Sequence, residues 1–406
     1  MTDVGRRGRI AVVGASLAGL RAAEALRAEG YEGEVVVFGA EPHLPYDRPP
    51  LSKQVLAGTQ EPAAADLPIA EDLEVEWRLG QPAAALDVGA RRLSTADGDH
   101  LDVDGVVIAT GATPRIVPSW PELAGVHVLR SIDDCLALRA DLVASPQRVV
   151  VVGAGFIGSE VAATARGLGL DVTIVEPLAA PVVRGLGAEM GGIVADLHRD
   201  HGVDVRLGIG VDAVTGGADG RVTSVELGDG TTLDADVVLV GIGVVPNVEW
   251  LAGNGLEVAD GVVCDETCLA APGVVAAGDV ARWPHPLHGS VRIEHWDNAQ
   301  DQGAHAARTL LADLDGRRGE PFAPVPWFWS DQYDRKLQVA GRTSGDARVQ
   351  VVGGSVEDRK FVALYGADDD AGPVTAVLGM NSAAAVMRWR ARIVKGLTWP
   401  EALATD

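Results

Sequence analysis

Cysteine is scarce in this sequence. There are three in 406 residues, Cys135, Cys264 and Cys268, and no C-x-x-C pair among them. An odd number without such a pair argues against a disulfide framework and nearly excludes a dithiol redox centre. Cys264 and Cys268 have three residues between them, but no nearby His or Cys completes a zinc set, so no metal site is expected. Long apolar runs are also missing, and none approaches the roughly 18–20 residues needed to span a bilayer. The opening stretch, 1–9, holds three arginines without the apolar segment and small-residue cleavage site of a signal peptide, so a cytoplasmic protein is expected. Basic residues are outnumbered, 34 Lys and Arg against 57 Asp and Glu, for a net charge of −23. That balance argues against nucleic acid or an anionic membrane as a partner. The deficit is uneven: residues 1–325 carry 24 basic and 47 acidic side chains, whereas 326–406 carry 10 of each.

What is present points to a tightly wound α/β protein of two or three domains, with 47% hydrophobic residues and 50 glycines. A strand from Arg9 to Val13 runs into Gly14-Ala15-Ser16-Leu17-Ala18-Gly19, a helix to about Ala28 and a second strand, Glu34 to Phe38. The pattern repeats with Arg148 to Val152, then Gly153-Ala154-Gly155-Phe156-Ile157-Gly158, a helix to about Leu168 and a strand from Asp171 to Val175. This duplication is the main organisational fact of the chain. Strands near 106–109, 236–240 and 273–277 each stop at small residues, as in open α/β sheets that bind ligands at their carboxyl ends. From about Pro326 the style changes to alternating β-type segments, which marks a separate C-terminal α+β domain.

A dinucleotide pyrophosphate needs backbone N–H groups at a helix N-terminus with no side chains in the way. Gly153, Gly155 and Gly158 supply such a turn. Glu176 follows at the end of the next strand, where a carboxylate would accept from ribose hydroxyls and repel a 2′-phosphate, with Arg184 eight residues on as a partial offset. The first turn is a weaker match, with Ser16 in place of the middle glycine and its acid displaced to Glu41. Two such folds in one chain predict two bound dinucleotides.

Pro45-Tyr46-Asp47-Arg48-Pro49-Pro50-Leu51-Ser52-Lys53 resembles the signature of the ferredoxin reductases of bacterial oxygenase systems. Supporting segments are 153–160, Ala276-Ala277-Gly278-Asp279, Ile293-Glu294-His295-Trp296-Asp297-Asn298-Ala299 and Pro326-Trp327-Phe328-Trp329-Ser330-Asp331-Gln332, so the likeness covers essentially the whole chain. It implies an FAD-binding domain in two segments, 1–112 and 241–325, an inserted NAD-binding domain, 113–240, both Rossmann-like, and an α+β interface domain, 326–406. It implies that FAD accepts hydride from NADH and passes single electrons to a 2Fe–2S ferredoxin serving an oxygenase.

The same resemblance assigns residues. Gly14, Ser16, Leu17, Ala18 and Gly19 would cradle the FAD pyrophosphate, with Glu41 near the adenosine ribose and the Ala83 backbone near the adenine. Arg48 and Arg130 would neutralise phosphates or meet the ribityl chain, Asp279 would accept from ribityl hydroxyls, and Trp296 would lie beside the isoalloxazine. Thr110 and Gly111 complete the FAD set. Gly153, Gly155, Phe156, Ile157, Gly158, Glu160, Glu176, Arg184, Gly243 and Glu294 form the NAD set. Lys53 would stabilise the anion formed on flavin reduction and Glu160 would hold it, which makes these two the candidate catalytic residues.

A disulfide reductase or NADH peroxidase would need a redox Cys after Arg48-Pro49-Pro50, and this segment has none. A rubredoxin- or nitrite-reductase-type NADH flavoprotein stays open, because it differs mainly in its acceptor. So does a non-enzymatic NADH-binding flavoprotein that serves as an interaction module. For docking of an acidic ferredoxin at the C-terminal domain, Arg388, Arg390, Arg392 and Lys395 offer a basic run on one expected helix, which Arg335 and Lys336 would extend.

Overall fold

The structure, a computed structural model, describes residues 8–144, 146–343 and 347–404. Most of the stretch 1–9 weighed as a leader therefore lies outside the described residues. The chain forms two compact units, one from 1–47, 65–113 and 245–326, the other from 48–64, 114–244 and 327 onward.

The first unit is built on a six-stranded sheet whose spatial order is 269–271, 274–276, 105–108, 9–13, 34–38, 76–78. Its centre is parallel, with Arg9–Val13 between Glu34–Phe38 and Gly105–Ile108. These strands are near-continuous β-branched runs rather than alternating ones, as expected where both faces are covered. The helix Leu17–Ala28 follows the first glycine turn, and the long helix Trp296–Leu314 approaches it closely enough that a Cβ on Gly303 would overlap the Ala18 carbonyl oxygen.

The second unit repeats the design with a five-stranded parallel sheet, ordered 204–207, 171–176, 148–152, 237–240, 126–127. Its glycine turn leads into the helix Phe156–Gly167. Residues 327–380 form a five-stranded antiparallel sheet, ordered 327–332, 335–341, 374–380, 360–366, 348–355. One face, with Leu337, Val339, Phe361 and Tyr365, packs on Leu186, Met190 and Val194 of the helix Val183–Asp200. The other, with Val362, Leu364 and Val377, covers Val386, Ile393 and Trp399 of the terminal helices. Period-two alternation thus feeds two cores. The helix expected to carry the whole basic run spans Ala383–Ile393. Lys395 lies beyond its end, where Gly396 in the left-handed region (φ 81°) stops the chain from continuing as helix. Among the described residues, no helix is long and apolar enough to cross a membrane.

Two helix-interior glycines give a paired test. Gly303→Ala forces the close helix approach apart and should cost about 1–3 kcal/mol. Gly192, in the helix Val183–Asp200, has nothing within 4 Å of an added Cβ, so Gly192→Ala should stabilise by about 0.5–1 kcal/mol. Thermal and urea unfolding of both variants read the two signs.

Candidate functional site

The two glycine turns share a geometry that the chain's own packing explains only in part. A Cβ on Gly14 would overlap the Ala109 carbonyl oxygen, and one on Gly19 the Gly14 carbonyl oxygen. In the second turn, Gly153 meets the Gly241 carbonyl oxygen and Gly158 the Gly153 carbonyl oxygen in the same way. Those four glycines are demanded by the fold. Gly155 is not: its φ is an ordinary −68°, and the nearest atom to an added Cβ, the Gly241 carbonyl oxygen, is 4.0 Å away. Exposed, and with no packing reason to be glycine, it fits a turn that something outside the protein approaches. Neither following helix has a side-chain cap, although Ser16 occupies an N-cap position in the first. Two helix starts are closed by capping boxes, Ser131 with Asp134 and Thr398 with Glu401, whereas the helices Val183–Asp200, Trp296–Leu314 and Ala383–Ile393 also lack a side-chain cap, so it is the glycine turns in front that set these two starts apart. Open N–H groups and a missing side chain are what a pyrophosphate requires.

The acids expected at the riboses are engaged within the chain. Glu176 is buried; Ala154 N–H donates to its Oε2 (2.7 Å) and Leu178 N–H to its Oε1 (2.9 Å), which pins the glycine turn to the strand end. Each oxygen keeps a lone pair for a further donor. The Tyr46 hydroxyl donates to the Glu41 carboxylate. Around the other expected FAD residues, Trp296 Nε1 donates to Asp47 Oδ1 (2.7 Å), and Arg292 donates to the carbonyl of buried Asp279 (3.0 Å). Arg292 also pairs with Glu294 (2.6 Å), one of the expected NAD residues, which belongs to the first unit while the rest of that set lies in the second. Thr110 and Asn247 clasp reciprocally, Thr110 Oγ1 donating to the Asn247 carbonyl and Asn247 Nδ2 to the Thr110 carbonyl, both at 2.8 Å, while Asn247 N–H donates to the Gly111 carbonyl. Sequence reasoning missed Asn247. Ala83 begins the antiparallel strand Ala83–Asp87.

In the second unit the Lys53–Glu160 pair forms, Nζ to Oε2 at 2.6 Å, with Lys53 11% and Glu160 3% exposed. Ser52 Oγ donates to the same carboxylate oxygen (2.5 Å) and Ser330 Oγ to the other (2.7 Å). Neither serine's part was foreseen, although both sit inside the motifs that carried the resemblance. One face of the Phe156 helix organises the cluster through i, i+4 spacing. The Phe156 ring packs edge-on against Phe328 (4.8 Å), Glu160 takes the two serines and Lys53, and Thr164 Oγ1 donates to the Ser52 carbonyl (2.8 Å). Arg48 donates to the Arg130 carbonyl (2.6 Å), so those two expected residues are also brought together. Gly243 (φ 98°) has nothing within 4 Å of an added Cβ; Ile157 and Arg184 are exposed.

All three thiols are buried. Burial pushes Cys135 up to about 11 and Cys268 up to about 12, and raises Cys264 well above its ordinary value. The basic run is only partly available. Arg388 and Lys395 are exposed, but Arg392 lies over the Trp389 ring (4.4 Å) and donates to the Glu401 carbonyl (2.8 Å). Lys336 pairs with Asp331 (3.0 Å) and Arg335 with Asp334 (3.5 Å), so the expected extension brings no net charge.

Known proteins resemble this one over nearly the whole chain. Residues 8–303 match the model of the pyridine nucleotide-disulphide oxidoreductases, and 327–406 match the reductase C-terminal domain. The chain is 42% identical to rhodocoxin reductase of Rhodococcus erythropolis over 359 residues, 87% of this chain and 82% of that one. It is 40% identical to the ferredoxin–NAD(+) reductase component of the anthranilate 1,2-dioxygenase system of Burkholderia cepacia over 380 residues, 91% and 90% of the two chains. Among solved structures, the covalent putidaredoxin reductase–putidaredoxin complex matches with a TM-score of 0.90 at 33% identity, covering 98% of this chain and 96% of that one.

Gly155 separates ligand from packing. Gly155→Ala should leave the unfolding midpoint of the ligand-free protein within about 0.5 kcal/mol of wild type yet weaken dinucleotide binding measured by calorimetry. Gly158→Ala, which meets the Gly153 carbonyl oxygen, should lower the midpoint itself.

Proposed function

The chain belongs to the pyridine nucleotide-disulphide oxidoreductase family and carries a reductase C-terminal domain, and from that premise we propose that it is an NADH-dependent ferredoxin reductase serving a bacterial oxygenase. The observation that carries the reading within the family is the state of its thiols. Three buried cysteines with raised pKa values offer no thiolate to relay electrons, so the electrons leave from the flavin.

FAD, when bound, supplies the chemistry, taking hydride from NADH and releasing electrons one at a time to a 2Fe–2S centre. The chain's part is to bind, align and stabilise charge. We assign Gly14, Ser16, Leu17, Ala18 and Gly19 to the FAD pyrophosphate, supported by the uncapped helix that follows them. Glu41, Arg48, Ala83, Thr110, Gly111, Arg130, Asp279 and Trp296 complete the FAD set. Gly153, Gly155, Phe156, Ile157, Gly158, Glu176, Arg184, Gly243 and Glu294 are assigned to NADH, with Glu176 favouring it over NADPH. Lys53, held by Glu160, supplies a fixed positive charge to the reduced flavin. By the same resemblance we divide the chain into 1–112 and 241–325 for FAD, 113–240 for NAD and 326–406 for the acceptor. The NADH such an enzyme draws on is cytoplasmic, and we place the protein there.

Turnover tests the reading directly. Purified protein should be yellow, bleach under anaerobic NADH, and reduce both ferricyanide and, through a 2Fe–2S ferredoxin, cytochrome c. Rates should survive iodoacetamide under native conditions, since no reactive thiol is involved. A colourless protein that also fails to take up FAD would overturn it.

The acceptor's docking is tested by charge. An acidic ferredoxin approaching a chain of net charge −23 needs a local basic contact, and Arg388 and Lys395 are its exposed members. Arg388→Glu with Lys395→Glu should lower ferredoxin-linked turnover about tenfold at low salt and less at high salt. Ferricyanide reduction should change little. Equal ferredoxin-linked rates and salt slopes in the two proteins would place docking elsewhere.

A further inference from the structure

The strand Trp327–Gln332 opens the C-terminal sheet, and its alternation sends successive side chains to opposite faces. Trp327 and Trp329 lie on one face, their rings 5.1 Å apart, with Lys336 5.9 Å from the Trp329 ring. Phe328, Ser330 and Gln332 lie on the other. Phe328 packs on Phe156, and fully buried Ser330 donates to Glu160 Oε1 at 2.7 Å. Gln332, also fully buried, donates through Nε2 to Ser330 Oγ (3.3 Å). The amide occupies one lone pair of the Ser330 hydroxyl, and its proton goes to the carboxylate, which can only accept.

A carboxylate held by one oxygen can swing about its terminal torsion, which is broad and roughly two-fold. Ser330 removes that freedom. It fixes the plane of the Glu160 carboxylate by Oε1, so that Oε2 meets Ser52 and Lys53 together. Lys53 Nζ is itself 3.2 Å from Ser52 Oγ. The ammonium is therefore located by a chain of hydrogen bonds that begins on the C-terminal sheet. A long flexible lysine is a poor electrostatic catalyst unless its charge is fixed where it is needed, because a mobile dipole loses the advantage of preorganisation.

We propose that Ser330 is a positioning residue for Lys53, acting through Glu160, so that the strand bearing Trp329 sets where the active-site charge stands. The proposal rests on the assignment of Lys53 to the reduced flavin. It makes the C-terminal sheet part of the flavin chemistry as well as a platform for an acceptor.

The test uses the flavin-loaded full chain with Lys53→Ala, Ser330→Ala, Ser330→Cys and Ser330→Thr. The first readout needs no turnover. Acetic anhydride labelling, read at each lysine by mass spectrometry, reports the ion pair, and Lys336, Lys360 and Lys395, the other three of four lysines, are internal references. Relative labelling of Lys53 should rise about three- to tenfold in Ser330→Ala, the size of one ordinary hydrogen bond, since the loss reaches Lys53 only through Glu160. Ser330→Cys, similar in size but a weak donor, should shift the same way, which keeps the test sound if the alanine variant folds poorly. Ser330→Thr, which keeps the hydroxyl, should return toward wild type.

The second readout is stopped-flow reduction by NADH without acceptor. The limiting rate should fall about three- to tenfold in Ser330→Ala, with half-saturation by NADH changed less than about twofold, and the loss should vanish in a Lys53→Ala background. A slow Lys53→Ala protein beside Ser330→Ala and Ser330→Cys proteins with wild-type labelling and rates would overturn this inference alone. Losses from Ser330→Ala and Lys53→Ala that simply multiply would also overturn it, since Ser330 would then act by another route. A Lys53→Ala protein with FAD fully bound and a wild-type rate would overturn the role of Lys53, and this inference with it.

Discussion

A carboxylate taken out of water is tolerated only where donors replace its hydration, and Glu160 imposes that demand on the second unit. At 3% exposure it draws Lys53 and Ser52 from the loop after Arg48, and Ser330 from the C-terminal sheet, onto one helix face. Three segments far apart in the chain are thereby fixed to each other. Phe156 and Thr164, one turn to either side, add an aromatic contact and a hydrogen bond to the same pair of neighbours. Removing any single donor leaves a buried charge under-satisfied, which costs more than the bond itself is worth. The arrangement is therefore cooperative, and it holds a cation in a fixed place.

The glycine turns illustrate two different reasons for one residue type. Gly14, Gly19, Gly153 and Gly158 are required because backbone passes within overlap distance of where a side chain would begin. Gly155 is not required by the chain at all. Ser16 occupies the matching position in the first turn, short enough to leave the helix start open and bearing a hydroxyl that makes no capping bond. The two turns thus solve the same problem, access to unpaired N–H groups, with one and with no heavy side-chain atoms beyond Cβ. Their acids diverge as well, Glu176 being pinned by backbone donors and Glu41 by the Tyr46 hydroxyl.

What was legible in the sequence follows from the range of the interaction concerned. The two βαβ starts, the glycine turns and the acid after the second strand are local patterns, and the strands fall within a residue or two of where periodicity puts them. The Lys53–Glu160 pair spans 107 residues and came from resemblance, not from spacing. Ser330, 170 residues from Glu160, lies inside a recognisable motif that does not reveal its role, because no local feature says which face of a strand will meet which helix. The basic run was legible only in part, for the opposite reason. Helical spacing put Arg388 and Arg392 on one side, but the indole of Trp389 and the Glu401 carbonyl compete for Arg392, and a sequence does not show those competitors.

The thiols close the argument about electron exit. A cysteine can relay electrons only as a thiolate within reach of donor and acceptor, and low dielectric suppresses that form. Cys135 gives its weak S–H bond to the Leu51 carbonyl, two residues before Lys53. That bond ties it to a segment 84 residues away in sequence while the thiol itself stays buried in the helix Ile132–Val143. Cys268 receives a hydrogen bond from Gln302 (3.4 Å) inside the first unit's core. Both are structural. With no thiol able to accept a pair of electrons, a two-electron donor and a one-electron acceptor can be matched only by the flavin itself. What remains for the protein is to bind and align its cofactors, and in the second unit the Glu160 cluster holds one cation, Lys53, in a fixed place.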